Sequence, residues 1–444
     1  MIAAGAETIA AVATPPGQGG IGIVRLSGPD AKTIAEGIVC QSLKPRRVKF
    51  AEFRNQTGET LDEGLVLYFA APRSFTGEDV VELQGHGGPV VMQLLLDEAV
   101  GRGARLARPG EFTERAFLNG KIDLAQAEAV ADLISSSSRA AARGALRSLK
   151  GDFSKAVFNL DQQVLHLRIY LEAAMDFPEE EVDFLSNGQV EEKLQAIGQG
   201  LTNLLRESTQ GVLLNDGITV AILGAPNVGK SSLLNVLSGE ERAIVTDIPG
   251  TTRDLLHVDL TLQGLPVRIV DTAGLRDSVD PVEIEGVRRA EQQAVEADLV
   301  LLVTEAGHAK TNVWSGSEPL IRVANKVDLT ELEPGLVENT DGIMEVRISA
   351  KNGAGIEVLR AYILEKVGFV SEGSTYTARK RHLLALDEAM QALRRAQVLI
   401  DENLQAELVA EELRVVHEAL GTIAGVVTAD DLLGEIFASF CIGK

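Results

Sequence analysis

Residues 217–232 read GITVAILGAPNVGKSS, and this stretch leaves few folds open. An apolar run, TVAIL, stops at Gly224, and Gly229-Lys230-Ser231 opens the helical pattern SSLLNVL. The spacing G-x-x-x-x-G-K-[ST] requires a strand, a glycine-rich loop and a helix N-terminus in succession, so that backbone N–H groups converge on phosphate. Lys230 then reaches the β- and γ-phosphates as the catalytic cation, and Ser231 supplies a hydroxyl to Mg²⁺. Asn227, Val228, Gly229 and Ser232 complete the cradle. A loop of this kind belongs in a parallel-rich α/β domain.

Four further elements follow in order. Asp271-Thr272-Ala273-Gly274 ends the strand-like PVRIV and offers a carboxylate near Mg²⁺ and a backbone N–H near the γ-phosphate. Between it and the loop lies Thr246-Asp247-Ile248-Pro249-Gly250-Thr251-Thr252, whose two last threonines are candidates for closing on Mg²⁺. Asn325-Lys326-Val327-Asp328 ends PLIRVA, and Asp328 can accept from N1–H and N2–H₂ of guanine, which adenine cannot match. Ser349-Ala350-Lys351 would back the base. Together these predict a Ras-like GTPase. Leu275 stands where Ras-like enzymes carry a water-orienting Gln, and it cannot do that work. Arg253 and Arg276 are possible charge donors, with ordinary surface arginines as the plainer reading.

On both sides of this domain the apolar period is helical. Val157, Leu160, Val164, Leu167 and Leu171 step by 3 and 4, as do Val190, Leu194, Ile197, Leu201 and Leu204, and Val409, Leu413, Val416, Leu420 and Ile423. The acidic FPEEEVDF (177–184) separates the first two sets, and Thr428 with Asp431 reads as a capping pair for a last helix. Residues 1–117 mix strand-like TIAAVAT, IGIVRLSG, LVLYFA and DVVELQG with helical KTIAEGI and VVMQLLLDEAVGRG. The expected class is α/β plus all-α. The expected domains are an N-terminal α/β domain (1–117), a discontinuous helical domain (118–215 and 373–444) and an inserted GTPase domain (216–372).

Of the 444 residues, 64 are Asp or Glu and 42 are Lys or Arg, a net charge of −22 that argues against broad, non-specific nucleic-acid or membrane binding. Two cysteines, Cys40 and Cys441, cannot build a disulfide framework. The N-terminus has no basic residue ahead of its apolar stretch, and LVLLV at 299–303 is far short of a membrane span. A soluble cytoplasmic protein is the expectation. Arg139, Arg143, Arg147 and Lys150 fall on one helical face. A solvated or acid-paired face is the plainer reading, and a phosphate-contact or protein-docking strip the alternative. Gly17–Gly22 matches G-x-G-x-x-G but runs into a strand rather than a helix, so a dinucleotide site is rejected. His86-Gly87-Gly88 lacks a companion G-x-S-x-G and reads as a turn.

The domain order, GTTRD and DTAGLR, ATPPGQGGIGIVRLSGP, LQGHGGP (83–89), GEFTERAFLNGKIDL (110–124) and the terminal FCIGK closely resemble the MnmE (TrmE) family of tRNA-modification GTPases over essentially the whole chain. The resemblance implies a homodimer that works with the FAD protein MnmG, in a heterotetramer-type complex. The pair would add a carboxymethylaminomethyl or aminomethyl group to C5 of the wobble uridine of tRNA, drawing carbon from 5-formyl- or methylene-tetrahydrofolate. It also implies an N-terminal folate site of Arg25, Glu82, Lys121 and Lys444. K⁺ would be held by Asn227, Thr246, Ile248 and Thr251, and Mg²⁺ by Ser231 and Thr252. Glu283 would orient water through a second water. Cys441 would be either a reactive thiol or, as is usual for such a residue, a packed one. A K⁺ ion beside the phosphates can stand where an arginine finger would. A GTP-dependent ribosome-assembly factor and a folate-binding regulatory switch are the competing readings. The first would be expected to carry a basic RNA-binding module, which the acidic flanks lack.

Overall fold

The structure, a computed structural model, describes residues 7–176, 189–239, 257–271, 295–307, 319–338, 343–370, 376–401, 406–425, 430–438 and 440–443. The contacts divide the chain into two compact units: 1–131 with 149–182 and 399–444, and 132–148 with 183–398.

The first unit contains a six-stranded sheet in the order β3-β4-β5-β2-β1-β6. The strands are β1 (Ile9–Val12), β2 (Gly19–Ser27), β3 (Lys49–Arg54), β4 (Thr60–Phe69), β5 (Val80–Gly87) and β6 (Arg105–Leu106). All neighbours are antiparallel except β1 and β6. Two helices, α1 (Ala31–Val39) and α2 (Pro89–Gly101), cover one face. Their Ile34, Ile38, Met92 and Leu95 meet Val24, Leu26, Phe53, Val66 and Leu83 in one core. Period-two strands dictate this one-sided burial: odd and even residues face opposite ways. The next two helices are α3 (Glu111–Leu118) and α4 (Leu124–Ser135).

The helical spacing in the sequence is realised in full. Val157, Leu160, Val164, Leu167 and Leu171 are all buried on α6 (Asp152–Asp176). That helix packs against Ala406–Ala424, where Val409, Leu413, Val416, Leu420 and Ile423 are buried. Two stripes far apart in the chain thus cover each other. FPEEEVDF and Thr428 lie outside the described residues, and the last helix runs Asp430–Ala438.

In the second unit a seven-stranded sheet has the order β12-β13-β11-β10-β7-β9-β8. Its central strands are β7 (Ile218–Leu223), β9 (Leu265–Asp271), β10 (Leu299–Glu305), β11 (Leu320–Asn325) and β13 (Met344–Arg347), paired in parallel. Two edges, β8 (His257–Leu262) and β12 (Gly335–Glu338), are antiparallel. The buried faces of β7, β10 and β11 read as near-continuous Val, Ile and Leu, because parallel strands are covered on both sides. Among the helices of this unit are α5 (Arg139–Leu149) and α7 (Gln189–Asp216). On α7 the predicted Val190, Leu194, Ile197, Leu201 and Leu204 are buried.

The β8–β9 hairpin turns at Gln263 and Gly264, whose φ values of 48° and 98° suit a tight two-residue turn. The turn is clamped from outside the sheet. Ser138 Oγ donates to the Gly264 carbonyl at 2.8 Å and accepts the Ala141 N–H of α5 at 3.1 Å. The Ala140 methyl sits where a Gly264 Cβ would point.

Candidate functional site

The loop after β7 owes its shape to glycines at both ends. Gly224 has φ of 150°, and a Cβ there would strike the Val303 carbonyl of β10. Gly229, φ 99°, is the N-cap of α8 (Lys230–Ser238), and a Cβ there would strike Nδ2 of Asn325. Asn227 also takes the left-handed region, φ 61°, which Asn tolerates better than most residues. Lys230 Nζ folds over the loop and donates to the carbonyls of Gly224 and Ala225 at 2.7 and 3.0 Å. Ser231 and Ser232 are exposed on the first turn of α8, whose N-cap, Gly229, has no side chain to cap it. A loop ringed by N–H groups with an ammonium across it is a site for phosphate.

Asn325 ties three motifs together. Buried at the end of β11, it donates through Nδ2 to the Val228 carbonyl at 2.8 Å. Its Oδ1 accepts the Ala350 N–H at 2.9 Å. The phosphate loop, Asn325–Asp328 and Ser349–Lys351 are therefore one assembly. Asp328 is exposed, and Ser349 Oγ donates to its Oδ1 at 2.6 Å. Lys326, next to Asn325, has φ of 67° and pairs its ammonium with Glu305 at the end of β10. Glu305 was not marked by any sequence motif; the register pairing it with Asn325 places it there. A phosphate cradle beside an exposed carboxylate held by Ser349 suits a guanine nucleotide.

The first unit holds a second constellation. Arg25 of β2 and Glu82 of β5 face each other across the sheet, with Arg25 Nη2 and Nε donating to Glu82 Oε1 at 2.9 and 3.1 Å. The pair is largely buried. Arg25 Nη1 donates to the Gly443 carbonyl at 3.4 Å, and its guanidinium lies 5.8 Å from the centre of the Phe112 ring. The tail is seated on this unit. Phe440 is buried beside Phe437, and the Cys441 carbonyl accepts the Gly110 N–H at 3.3 Å. A Cβ on Gly443 would strike the Val12 carbonyl.

Sequence comparison decides the family. The pattern of the GTP-binding protein TrmE N-terminus matches residues 8–121, and that of the MnmE helical domain matches 124–441. The tRNA modification GTPase MnmE of Pseudomonas paraeruginosa is 52% identical over 455 residues, covering 99% of this chain and 100% of that protein. That of Hydrogenovibrio crunogenus is 50% identical over 446 residues, with 99% of each chain covered. The chain belongs to the MnmE family of tRNA modification GTPases. It is a GTP hydrolase, for which GTP and Mg²⁺ are the expected ligands of the cradle. The G domain of the T. maritima FeoB iron transporter overlays 34% of this chain and 98% of itself at 24% identity, with a TM-score of only 0.26; the fold rests on the strand order above.

For a member of the MnmE family the remaining predicted positions sort as follows. Asn227, Val228, Gly229, Lys230, Ser231, Ser232, Asn325, Lys326, Asp328, Ser349, Ala350 and Lys351 all belong to the one assembly around the loop. Asp271 ends β9, beside β7. Thr246–Thr252, Thr272–Gly274, Leu275, Arg253, Arg276, Glu283 and Lys444 lie outside the described residues. Lys121 donates to the Pro72 carbonyl at 2.8 Å and, among the described residues, does not bond Arg25 or Glu82. Cys441 is exposed, so the packing expected of such a thiol is not what it has. Gly19–Ser27 is a strand, as the rejection of a dinucleotide site requires. The turn expected at His86-Gly87-Gly88 is not there: His86 and Gly87 end β5, and Gly88 is the extended N-cap of α2. The ring and backbone N–H of His86 both bond Asp62, at 2.7 and 2.8 Å, and that carboxylate raises the imidazole pKa.

Proposed function

We propose that this chain is a K⁺-stimulated GTPase that, with MnmG, installs a carboxymethylaminomethyl or aminomethyl group on C5 of the wobble uridine of tRNA from a tetrahydrofolate carbon donor. The observation that carries the reading is the meeting of Arg25, Glu82 and the Gly443 carbonyl. Arg25 and Glu82, matched to a folate site only by resemblance, are joined to the Gly443 carbonyl, 418 residues from Arg25 and next in sequence to Lys444, in one largely buried cluster. A guanidinium with a carboxylate partner suits a ligand carrying both amide-like donors and carboxylates. Cys441, exposed next to that cluster in the chain, is then available to the reacting carbon; Lys121 and Lys444 would complete the ligand's anionic end.

In the second unit Asn227 fits a cation ligand: it is exposed in the phosphate loop and carries an amide oxygen. With Thr246, Ile248 and Thr251 it would hold K⁺, while Ser231 and Thr252 would hold Mg²⁺. K⁺ supplies positive charge at the phosphates; Lys230 binds them from the loop side, and Glu283 orients water. The domain boundaries at 117, 215 and 372, a homodimer and a cytoplasmic location complete the proposal.

Two measurements test it. Nucleosides of tRNA from a strain lacking this chain should have lost the C5 substituent at the wobble position, and unchanged tRNA sinks the reading. GTP turnover should be faster in KCl than in matched NaCl, and Asn227→Ala should remove the difference at a cost of ~10² to 10³ in rate. Equal wild-type rates would move the charge donor to Arg253 or Arg276.

A further inference from the structure

Helix α5 carries a basic face that the reaction described so far does not use. Its sequence, RAAARGALRSL, contains no acid. Ala141, Gly144, Ala145 and Ser148 are buried, while Arg139 and Arg143, one turn apart, are exposed on the other side. The orientation is pinned at both ends. Ser138 holds the Gly264 carbonyl, and Ser148 Oγ donates to the Thr377 carbonyl at 2.9 Å. The small buried residues let the helix lie close to its support, so the arginines cannot turn inward.

In a chain with 64 acidic and 42 basic residues, an arginine ordinarily finds a carboxylate. Arg105 and Arg115 of the first unit do, and Arg379 takes Asp132 of the preceding helix at 2.6 Å. Among the described residues, Arg139 and Arg143 meet none. The acid-paired reading of the stripe therefore fails for these two positions, and a pair of exposed guanidinium forks one turn apart on a pinned helix remains, a chemistry that suits phosphate oxygens. The family's substrate, tRNA, is a polyanion.

We propose that the Arg139–Arg143 face of α5 is a docking surface for the phosphate backbone of the substrate tRNA. It rests on the tRNA reaction proposed above. Contacts of this kind position an RNA without reading its sequence, so the face supplies affinity and register, and the chemistry stays with the first unit.

The test uses the full-length protein and tRNA from a strain lacking it, titrated between about 50 and 200 mM KCl. Each phosphate contact contributes roughly 0.7 to 0.9 to the slope of log affinity against log salt. Arg139→Ala with Arg143→Ala should lower that slope by about 1 to 2 and weaken binding roughly tenfold or more at the low-salt end. The Arg139→Lys, Arg143→Lys pair should keep most of the slope, and both pairs should hydrolyse GTP at the wild-type rate without tRNA. An unchanged slope in the alanine pair overturns the proposal, as does a slope that falls only together with GTP turnover, which would mark a structural role. Normal RNA affinity with lost binding of purified MnmG overturns it too, and gives the face to a protein. Each of these outcomes can occur with the wobble modification genetically confirmed, so they are separable from failure of the reaction itself.

Discussion

The nucleotide cradle and the Arg25–Glu82 cluster are built by different kinds of information. In the cradle, Gly224 and Gly229 are required by left-handed backbone and by a neighbouring carbonyl or amide that leaves no space for a Cβ. The constraint is local, eight residues long, and recognisable in any sequence. In the cluster, Arg25, Glu82, Phe112 and Gly443 come from four distant stretches, and nothing in any of them announces the others. A site made by one loop leaves a spacing behind; a site made by packing leaves only its residue types.

The sharpest way to break this comparison is Gly229→Ala. The substitution places a methyl group against Asn325 in a strained conformation, so nucleotide affinity should fall by ~10³ or more while Arg25 and its partners are untouched. Titration with a fluorescent GTP analogue checks it, and near-normal binding would show that the cradle is less constrained than its glycines imply. Asp328→Asn should cost ~10² to 10⁴ in GTP affinity and admit xanthosine triphosphate, because a donor then faces the guanine donors. Competition between the two nucleotides reads the change; unaltered preference removes Asp328 from base recognition. In the packed site the effect should be smaller. Arg25→Ala leaves Glu82 without its partner and should weaken tetrahydrofolate binding by roughly 10 to 10², with GTP turnover unchanged. Calorimetry giving wild-type folate affinity would separate the cluster from the folate reading.

The mildest test concerns the charge network under that cluster. Glu111 is buried, which alone would raise its pKa, but Arg105, the Arg108 N–H and Arg115 donate to it and bring it from 4.5 down to about 2. A carboxyl that holds its proton less tightly when folded stabilises the fold above its ordinary pKa. That stabilisation is lost as the pH drops from about 4.5 towards 2. Urea midpoints of the wild type should therefore fall through this range, and those of Glu111→Gln should start lower and fall less. Parallel curves for the two proteins would remove Glu111 from the acid response.

What could be read from the sequence follows the same division. Every predicted stripe position on α6, α7 and Ala406–Ala424 is buried, because helical burial repeats within one element. Strands β3, β6 and β12 carry no strand pattern in the sequence. KFAEFR, an edge strand, puts Phe50 on its exposed face beside Glu52, and Lys49 on the face of Ala51 and Phe53, which blurs the apolar alternation, and GLVE is too short to show a period. Asn325 was read for the base, whereas its amide spans the phosphate loop and the Ala350 turn. Its type and place were legible, but its partners, 97 and 25 residues away, were not. The Glu78–Arg115–Glu111 network was invisible for the same reason.

The clamp on the β8–β9 turn has a thermodynamic consequence. In sequence the hairpin begins at His257, shortly after the Thr246–Thr252 segment, and ends at Asp271, which opens Asp271–Gly274. Both of its feet thus adjoin residues expected to sense the γ-phosphate. Its tip is held by Ser138, at the start of α5. A hairpin is stiff along its strands, so a nucleotide that shifted the feet would do work on the helix at the tip. Free-energy coupling is reciprocal: whatever factor GTP exerts on a ligand of α5, that ligand must exert on GTP. A substrate docked on this helix would then also be an effector of the nucleotide, and one hydroxyl, that of Ser138, would sit at the exchange between them.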